Sequence, residues 1–212
     1  MKQEWLEYYR NNYYALLNPP VSALKRGLLE GLYQRAHGFN LMFAELITRN
    51  QEQYHIVETG TLRNPGNWKD GQSAKLFTEF VDWHAGSVRS VDIDPAACVS
   101  ARSAIQSKSF TVTCGDSVEW LTAQPDLNQV DLFYLDSWDV KWHDDLASAE
   151  HHLKEFKVIE PFLKKGCIVA IDDNSRLLHT NCRTGKGRRI VEYLEEKGKQ
   201  PVYDAYQIIY KF

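Results

Sequence analysis

Five short runs rich in β-branched and aromatic residues recur along this chain, each separated from the next by a stretch with helical spacing, and that alternation limits the fold more than any other feature. The runs are His55-Ile-Val-Glu58, Val88-Arg-Ser-Val-Asp92, Phe110-Thr-Val-Thr-Cys114, Val130-Asp-Leu-Phe-Tyr-Leu-Asp136 and Cys167-Ile-Val-Ala-Ile171. Amphipathic segments at about 72–83, 95–107, 116–123 and 144–164 accompany them. Strand, crossover helix and parallel strand pack together in one hand, so the pattern predicts a doubly wound, mostly parallel α/β sheet with helices on both faces. The fourth and fifth runs are almost wholly apolar, as strands buried on both faces must be.

The flanks have a different texture. Trp5, Tyr8, Tyr9 and Tyr13 recur at helical spacing, Pro19-Pro20 breaks the run, and Val21 to Glu45 resumes it. Residues 1–50 therefore read as a helical N-terminal extension of a core at 54–212, its aromatics suited to covering the sheet, closing over a substrate or meeting a second copy. At the other end a helix from Arg188 to Lys197 stops at Gly198, and Val202 to Phe212 has the alternation of a terminal hairpin or antiparallel edge strand. A length of 212 residues suits one domain.

Composition removes several classes of function. A chain that is 43% hydrophobic and 25% charged is an ordinary globule, neither disordered nor membrane-embedded. The net charge of -3 gives no reason to expect nucleic acid as a partner. The longest apolar runs are strand-sized and the N-terminus lacks a signal core, which predicts a cytoplasmic protein, with homo-oligomerisation left open. Cys98, Cys114, Cys167 and Cys182 are widely spaced without C-x-x-C and read as reduced thiols.

In such sheets ligands bind beyond the carboxyl ends of the strands, so the polar residues there are the ones to read first. The first run leads into Glu58-Thr-Gly60, a carboxylate before a glycine that lets the backbone approach a ligand closely. The second ends in Asp92-Ile-Asp94-Pro95, an acid placed to accept from both hydroxyls of a ribose, with Pro95 suited to open a helix. After the third comes Gly115-Asp116-Ser117, where Asp116 could accept from an adenine amino group or simply cap the following helix. Between Gly60 and Ser73 the loop is long and lacks the G-x-G-x-x-G turn of a pyrophosphate cradle. A cofactor with one ribose and an amino-acid tail tolerates that loop better than a dinucleotide does.

With these motifs in this order, Ile56 to Asn174 resembles the class I S-adenosylmethionine-dependent methyltransferases: Glu58-Thr-Gly60 is similar to their first motif, Asp92 to their ribose-binding acid and Gly115-Asp116-Ser117 to their adenine-side motif. The resemblance implies a cofactor site of Glu58, Thr59, Gly60 and Ser73, with Asp92, Ile93, Asp116, Ser117 and Asp136.

The fourth and fifth runs end in Asp136-Ser-Trp138-Asp139 and Asp172-Asp173-Asn174, which neighbouring strands would bring to one crevice. Clustered carboxylates repel unless protonated or bridged by a cation, and oxygen ligands suit Mg²⁺, so Asp136, Asp172, Asp173 and Asn174 form the expected metal set. The alternative is that Asp173 or Asn174 turns the chain and Asp136 caps a helix. This part resembles the metal-dependent small-molecule O-methyltransferases, the catechol and macrocin-type sugar enzymes among them. That resemblance implies a metal-assisted attack by a hydroxyl on the sulfonium methyl, with Asp139 as first candidate base and Lys141 and His143 behind it.

His151-His152 lies in a polar helical run and reads as a solvated face. Arg183, Lys186, Arg188 and Arg189 read as a loop and exposed helix start, or as a grip on an anionic substrate group. Two rival functions stand beside the methyltransferase: an NAD-binding oxidoreductase using Asp92 on the ribose, and a methyltransferase-like binding protein without chemistry.

Overall fold

The computed structural model describes residues 2–19, 33–177 and 180–212. In chain order its strands are β1 Tyr54–Thr59, β2 Gly86–Asp92, β3 Phe110–Cys114, β4 Leu132–Leu135, β5 Ile168–Ile171, β6 Asn174–Arg176, β7 Arg183–Gly185, β8 Tyr203–Asp204 and β9 Ile208–Lys211. The helices are α1 Lys2–Asn12, α2 Ala36–Thr48, α3 Ser73–His84, α4 Pro95–Ala104, α5 Ser117–Thr122, α6 Leu146–Ile159 and α7 Arg188–Glu196. Seven strands form one sheet in the order β3-β2-β1-β4-β5-β9-β8. The first five are parallel, and β9 joins β5 antiparallel in the register Ile168↔Lys211 to Ile171↔Ile208. The strand order reverses beside β1, which is where a doubly wound sheet opens a ligand crevice.

Strand periodicity decides which helices cover which face. Ile56, Leu132, Tyr134, Ile168 and Ala170 point to one side, where α1 to α4 supply Trp5, Tyr9, Phe39, Phe43, Phe77, Phe80 and Cys98. Val57, Phe133, Leu135, Val169 and Ile171 point to the other, where α5 to α7 supply Leu121, Phe156, Ile159, Ile190, Val191 and Leu194. Both halves of the alternation are apolar because both faces are covered.

The aromatic N-terminal segment is part of the sheet's cover. Trp5 is fully buried and meets Phe43 and Phe80 edge-on at centroid distances of 5.4 and 5.7 Å. The expected helix from Val21 to Glu45 falls partly on residues 21–32, which lie outside the described ones. Of its remainder, Tyr33 to Arg35 is not helical, with Tyr33 at φ +63°, and α2 begins only at Ala36. The Arg35 backbone N–H donates to Leu17 O at 3.0 Å, and its side chain turns toward the end of β5. A two-stranded sheet of β6 and β7, three residues each, is an addition that the sequence pattern does not reveal.

Candidate functional site

At the carboxyl ends of β1 to β4 lies a cleft of about 520 Å³, within the range of small-molecule sites. Gly60, Ser73, Asp92, Ile93, Asp116, Ser117 and Asp136 line it, so seven of the nine residues expected to hold a cofactor meet around one space. Asp139 and Lys141 are at its rim, while His143 is exposed and not part of the lining.

Gly60 has φ +84°, and a Cβ there would sit 2.5 Å from Asp136 O. The loops after β1 and β4 touch through bare backbone, which only glycine permits at that φ. Asp92 is half-buried and organises both sides of its strand end: Oδ2 accepts from Thr61 N at 3.1 Å and Oδ1 from Asp94 N at 2.9 Å. Asp94 in turn caps α4 by accepting from Ala96 N at 2.8 Å, with Pro95 opening the helix as expected. Asp116 caps α5, accepting from Glu119 N at 3.0 Å, and still faces the cleft. Ile93 and Trp138 are 72% and 59% exposed and line the same cleft.

The other two expected cofactor residues lie beneath the floor. Glu58 is fully buried, with Oε2 accepting from Ser90 Oγ at 2.6 Å and Oε1 without a partner. Burial pushes its carboxyl up to about 7. Thr59 is buried and donates to Glu155 Oε2 at 3.1 Å. Glu155 also receives the Ser137 hydroxyl at 2.6 Å and that of Ser117, linking three strand-end loops through one buried carboxylate.

The loop after Gly60 is ordered by a residue the sequence did not mark. Gln72 is buried; its Oε1 accepts from Gly66 N at 2.9 Å and its Nε2 donates to Asn64 O at 3.0 Å. The loop thereby delivers Arg63 to the cleft, where Nη1 donates to both oxygens of Asp139 at 2.8 Å. The expectation of a solvated His151-His152 face is overturned. His152 is fully buried, donating through Nδ1 to Ser148 O at 2.7 Å, and burial pushes its imidazole down to about 4. His151 lines the cleft, with Nε2 2.9 Å from Ser117 Oγ and its ring 5.2 Å from Trp138. Both belong to α6, which packs against the sheet, so a polar composition hid an inward-facing pair.

Asp136, Asp172 and Asp173 converge as expected, with one oxygen from each lying within 4.8 Å of the others. Two cations of the chain already hold them. Lys186 Nζ lies 2.5 Å from Asp136 Oδ1 and 2.9 Å from Asp173 Oδ2. Arg35 donates through Nε to Asp172 Oδ2 at 2.6 Å and through Nη2 to Asp173 Oδ1 at 2.8 Å. Asn174 is engaged elsewhere: its amide donates to Ile171 O and Asp172 O, and its Oδ1 accepts from Gly187 N at 2.7 Å. Burial opposes ionisation of Asp173, but Lys186 and Arg35 hold its carboxyl well below the ordinary carboxylate range. A Mg²⁺ ion sits 2.0–2.1 Å from its oxygens, as a general rule, so one shared by Asp136 and Asp173 would need the space of the Lys186 ammonium. With that side chain in place the cluster does not fit the expected metal. The rest of the basic stretch is paired too, Arg183 with Asp204, Arg188 with Asp145 and Arg189 with Glu192.

No protein-family model matches the sequence, and no curated protein matches it. Solved structures share the fold. A proposed rRNA-methylase from Clostridium thermocellum is 13% identical over 81% of this chain and 97% of its own, with a TM-score of 0.53. SMU.1697c, a proposed methyltransferase from Streptococcus mutans in complex with SAH, is 10% identical over 76% of this chain and 89% of its own, with a TM-score of 0.50. MycE methyltransferase from the mycinamycin biosynthetic pathway, in complex with Mg and SAH, is 17% identical over 79% of this chain, with a TM-score of 0.48. The chain matches 36% of the length of that enzyme. The architecture is that of a Rossmann-like methyltransferase, with its antiparallel C-terminal strand. Among the described residues no helix is long and apolar enough to cross a membrane.

Proposed function

We propose that this chain is an S-adenosylmethionine-dependent O-methyltransferase acting on a hydroxylated small molecule such as a sugar or polyphenol. The observation that carries the cofactor is the charge of the cleft. Asp70, Asp92, Asp94, Asp116 and Asp139 line it, against Arg63 and Lys141, while a sixth acid of the lining, Asp136, is paired with Lys186. Such a wall attracts a sulfonium and an ammonium group and repels the two phosphates of a dinucleotide. The loop of residues 60–72 offers no phosphate cradle either, which argues against the NAD reading. The SAH complex of SMU.1697c, a protein of the same fold, agrees with this choice.

In this reading Asp92 would hold the ribose hydroxyls, Asp116 the adenine amino group, and Ile93 with Trp138 the faces of the adenine ring. The methionine end would lie over the backbone contact that Gly60 makes with Asp136. The bound cofactor supplies an electrophilic methyl group, and the chain's part is to orient an acceptor hydroxyl and take its proton. Asp139 and Lys141 are the candidate bases at the rim. Arg63 donates through one nitrogen, Nη1, to both oxygens of Asp139, and each oxygen keeps a lone pair with which an acceptor hydroxyl can bond. His143, outside the lining, has no role in this reading, and no step is assigned to Mg²⁺.

Calorimetry with S-adenosylhomocysteine and with NAD decides the cofactor: the first is expected to bind and the second not. Absence of S-adenosylhomocysteine binding at high micromolar concentration would end the proposal. A methyl-transfer screen over sugars, catechols and phenolic acids then tests the acceptor class.

A further inference from the structure

The acidic cluster beside the cleft is built around a cation that belongs to the chain. Lys186 is 1% exposed, and its Nζ also donates to Asp136 O at 3.2 Å. An ammonium is buried at this depth only when paired, and here Asp136 and Asp173 keep it charged against the pull of desolvation.

Its position is set by the backbone, not by the reach of a flexible side chain. The flanking Gly185 has φ +112°, and a Cβ there would lie 2.2 Å from Asp173 O. A Cβ on Gly187 would lie 2.6 Å from Asn174 Oδ1. The Lys186 backbone N–H donates to Asp173 O at 3.2 Å, and β6 and β7 pair Asn174 with Gly185. Gly185-Lys186-Gly187 is therefore pressed directly onto Asp173-Asn174, with the lysine stem as the one side chain aimed into the acids. One further atom marks the space as a cation site: Asp172 Oδ1 is buried among these groups with no hydrogen-bond partner.

We propose that the Lys186 ammonium fills the cation position of Asp136 and Asp173, so that this cluster takes no divalent metal, and that removing this one side chain turns it into a divalent-cation site. The site would then present three carboxylates, one with a free oxygen, against the single remaining charge of Arg35, a donor set suited to Mg²⁺ or Mn²⁺. The inference does not rest on the methyl-transfer reading, and its test uses no cofactor, so the two can fail separately.

The full chain and its K186M variant, which keeps an unbranched stem without the charge, are titrated with Mn²⁺, following free Mn²⁺ by electron paramagnetic resonance. Thermal unfolding is recorded with Mg²⁺ and with EDTA. The unsubstituted protein is expected to leave Mn²⁺ free at millimolar concentration and to melt at the same temperature in both conditions. K186M is expected to bind Mn²⁺ at least about tenfold more tightly, a difference of about 1.4 kcal/mol, and to melt higher with Mg²⁺. Binding of Mn²⁺ by the unsubstituted chain that D173N abolishes would overturn the proposal. So would a folded K186M that gains no affinity. Should K186M fail to fold with or without metal, K186Q, whose amide still donates to one acid, goes through the same titration and is judged by the same two results.

Discussion

Replacing Glu58 by glutamine should change how stability depends on pH, in the direction opposite to that of a carboxylate in a salt bridge. Glu58 sits near the end of the central strand β1, fully buried, and burial moves its carboxyl from the ordinary 4.5 up to about 7, with the Ser73 and Ser90 hydroxyls pulling the other way. The folded chain therefore keeps a proton that the unfolded chain releases between those two values. Stability must fall as pH rises through that window and level off above it. At about 1.36 kcal/mol for each pH unit the whole span is about 3 kcal/mol, and from pH ~5.5 to ~8 it is about 2 kcal/mol. The side-chain amide of the E58Q variant does not titrate, so urea unfolding of both proteins at a series of pH values isolates this contribution from every other ionisable group. The stability of the unsubstituted chain relative to E58Q should drop by about 2 kcal/mol between those limits. Parallel pH profiles would show that Glu58 is ionised in the fold across this range and that burial does not raise its carboxyl.

Two other substitutions probe the cleft. D92A should weaken S-adenosylhomocysteine binding by about 10–100-fold, the loss of charge-assisted hydrogen bonds worth roughly 1.5–3 kcal/mol, and calorimetry at one pH reads it; unchanged affinity would remove Asp92 from the site. G60A combines a left-handed φ with a Cβ 2.5 Å from Asp136 O. It should cost about 2–4 kcal/mol in chemical denaturation, and a cost below ~0.5 kcal/mol would mean that the two loops separate readily.

What was legible in the sequence was whatever repeats with a short period. The five parallel strands could be read because β-branched residues recur in runs, and the meeting of seven candidate residues around one cleft because polar residues closing apolar strands share one end of the sheet. Asp94-Pro95 announced α4 by local chemistry alone. The cations of the acid cluster were not legible for a different reason. Arg35 reaches Asp172 across 137 positions, and Lys186 reaches Asp136 across 50. Neither carries a local pattern that distinguishes it from a solvated arginine or lysine. Clustered carboxylates rightly called for a counter-ion, but the requirement is one of charge, which metal and ammonium satisfy equally. His152 was missed because its neighbours Glu150, His151 and Lys154 describe a polar helix, and only the packing of α6 on the sheet shows that this face turns inward. Gln72 shows the same limit in a loop, where a single buried amide sets a course that no periodicity encodes.

The reach of Arg35 also bears on how this fold can change over generations. A segment that merely shelters a sheet can be exchanged for any other apolar cover, but this one carries a guanidinium that pairs with Asp172 and Asp173 and stacks 4.7 Å over Tyr206. Whoever recombines the first fifty residues with another core must transplant a charge as well as a surface. A change in the acids at the end of β5 therefore calls for a matching change in the arginine ahead of α2, although more than a hundred residues separate them.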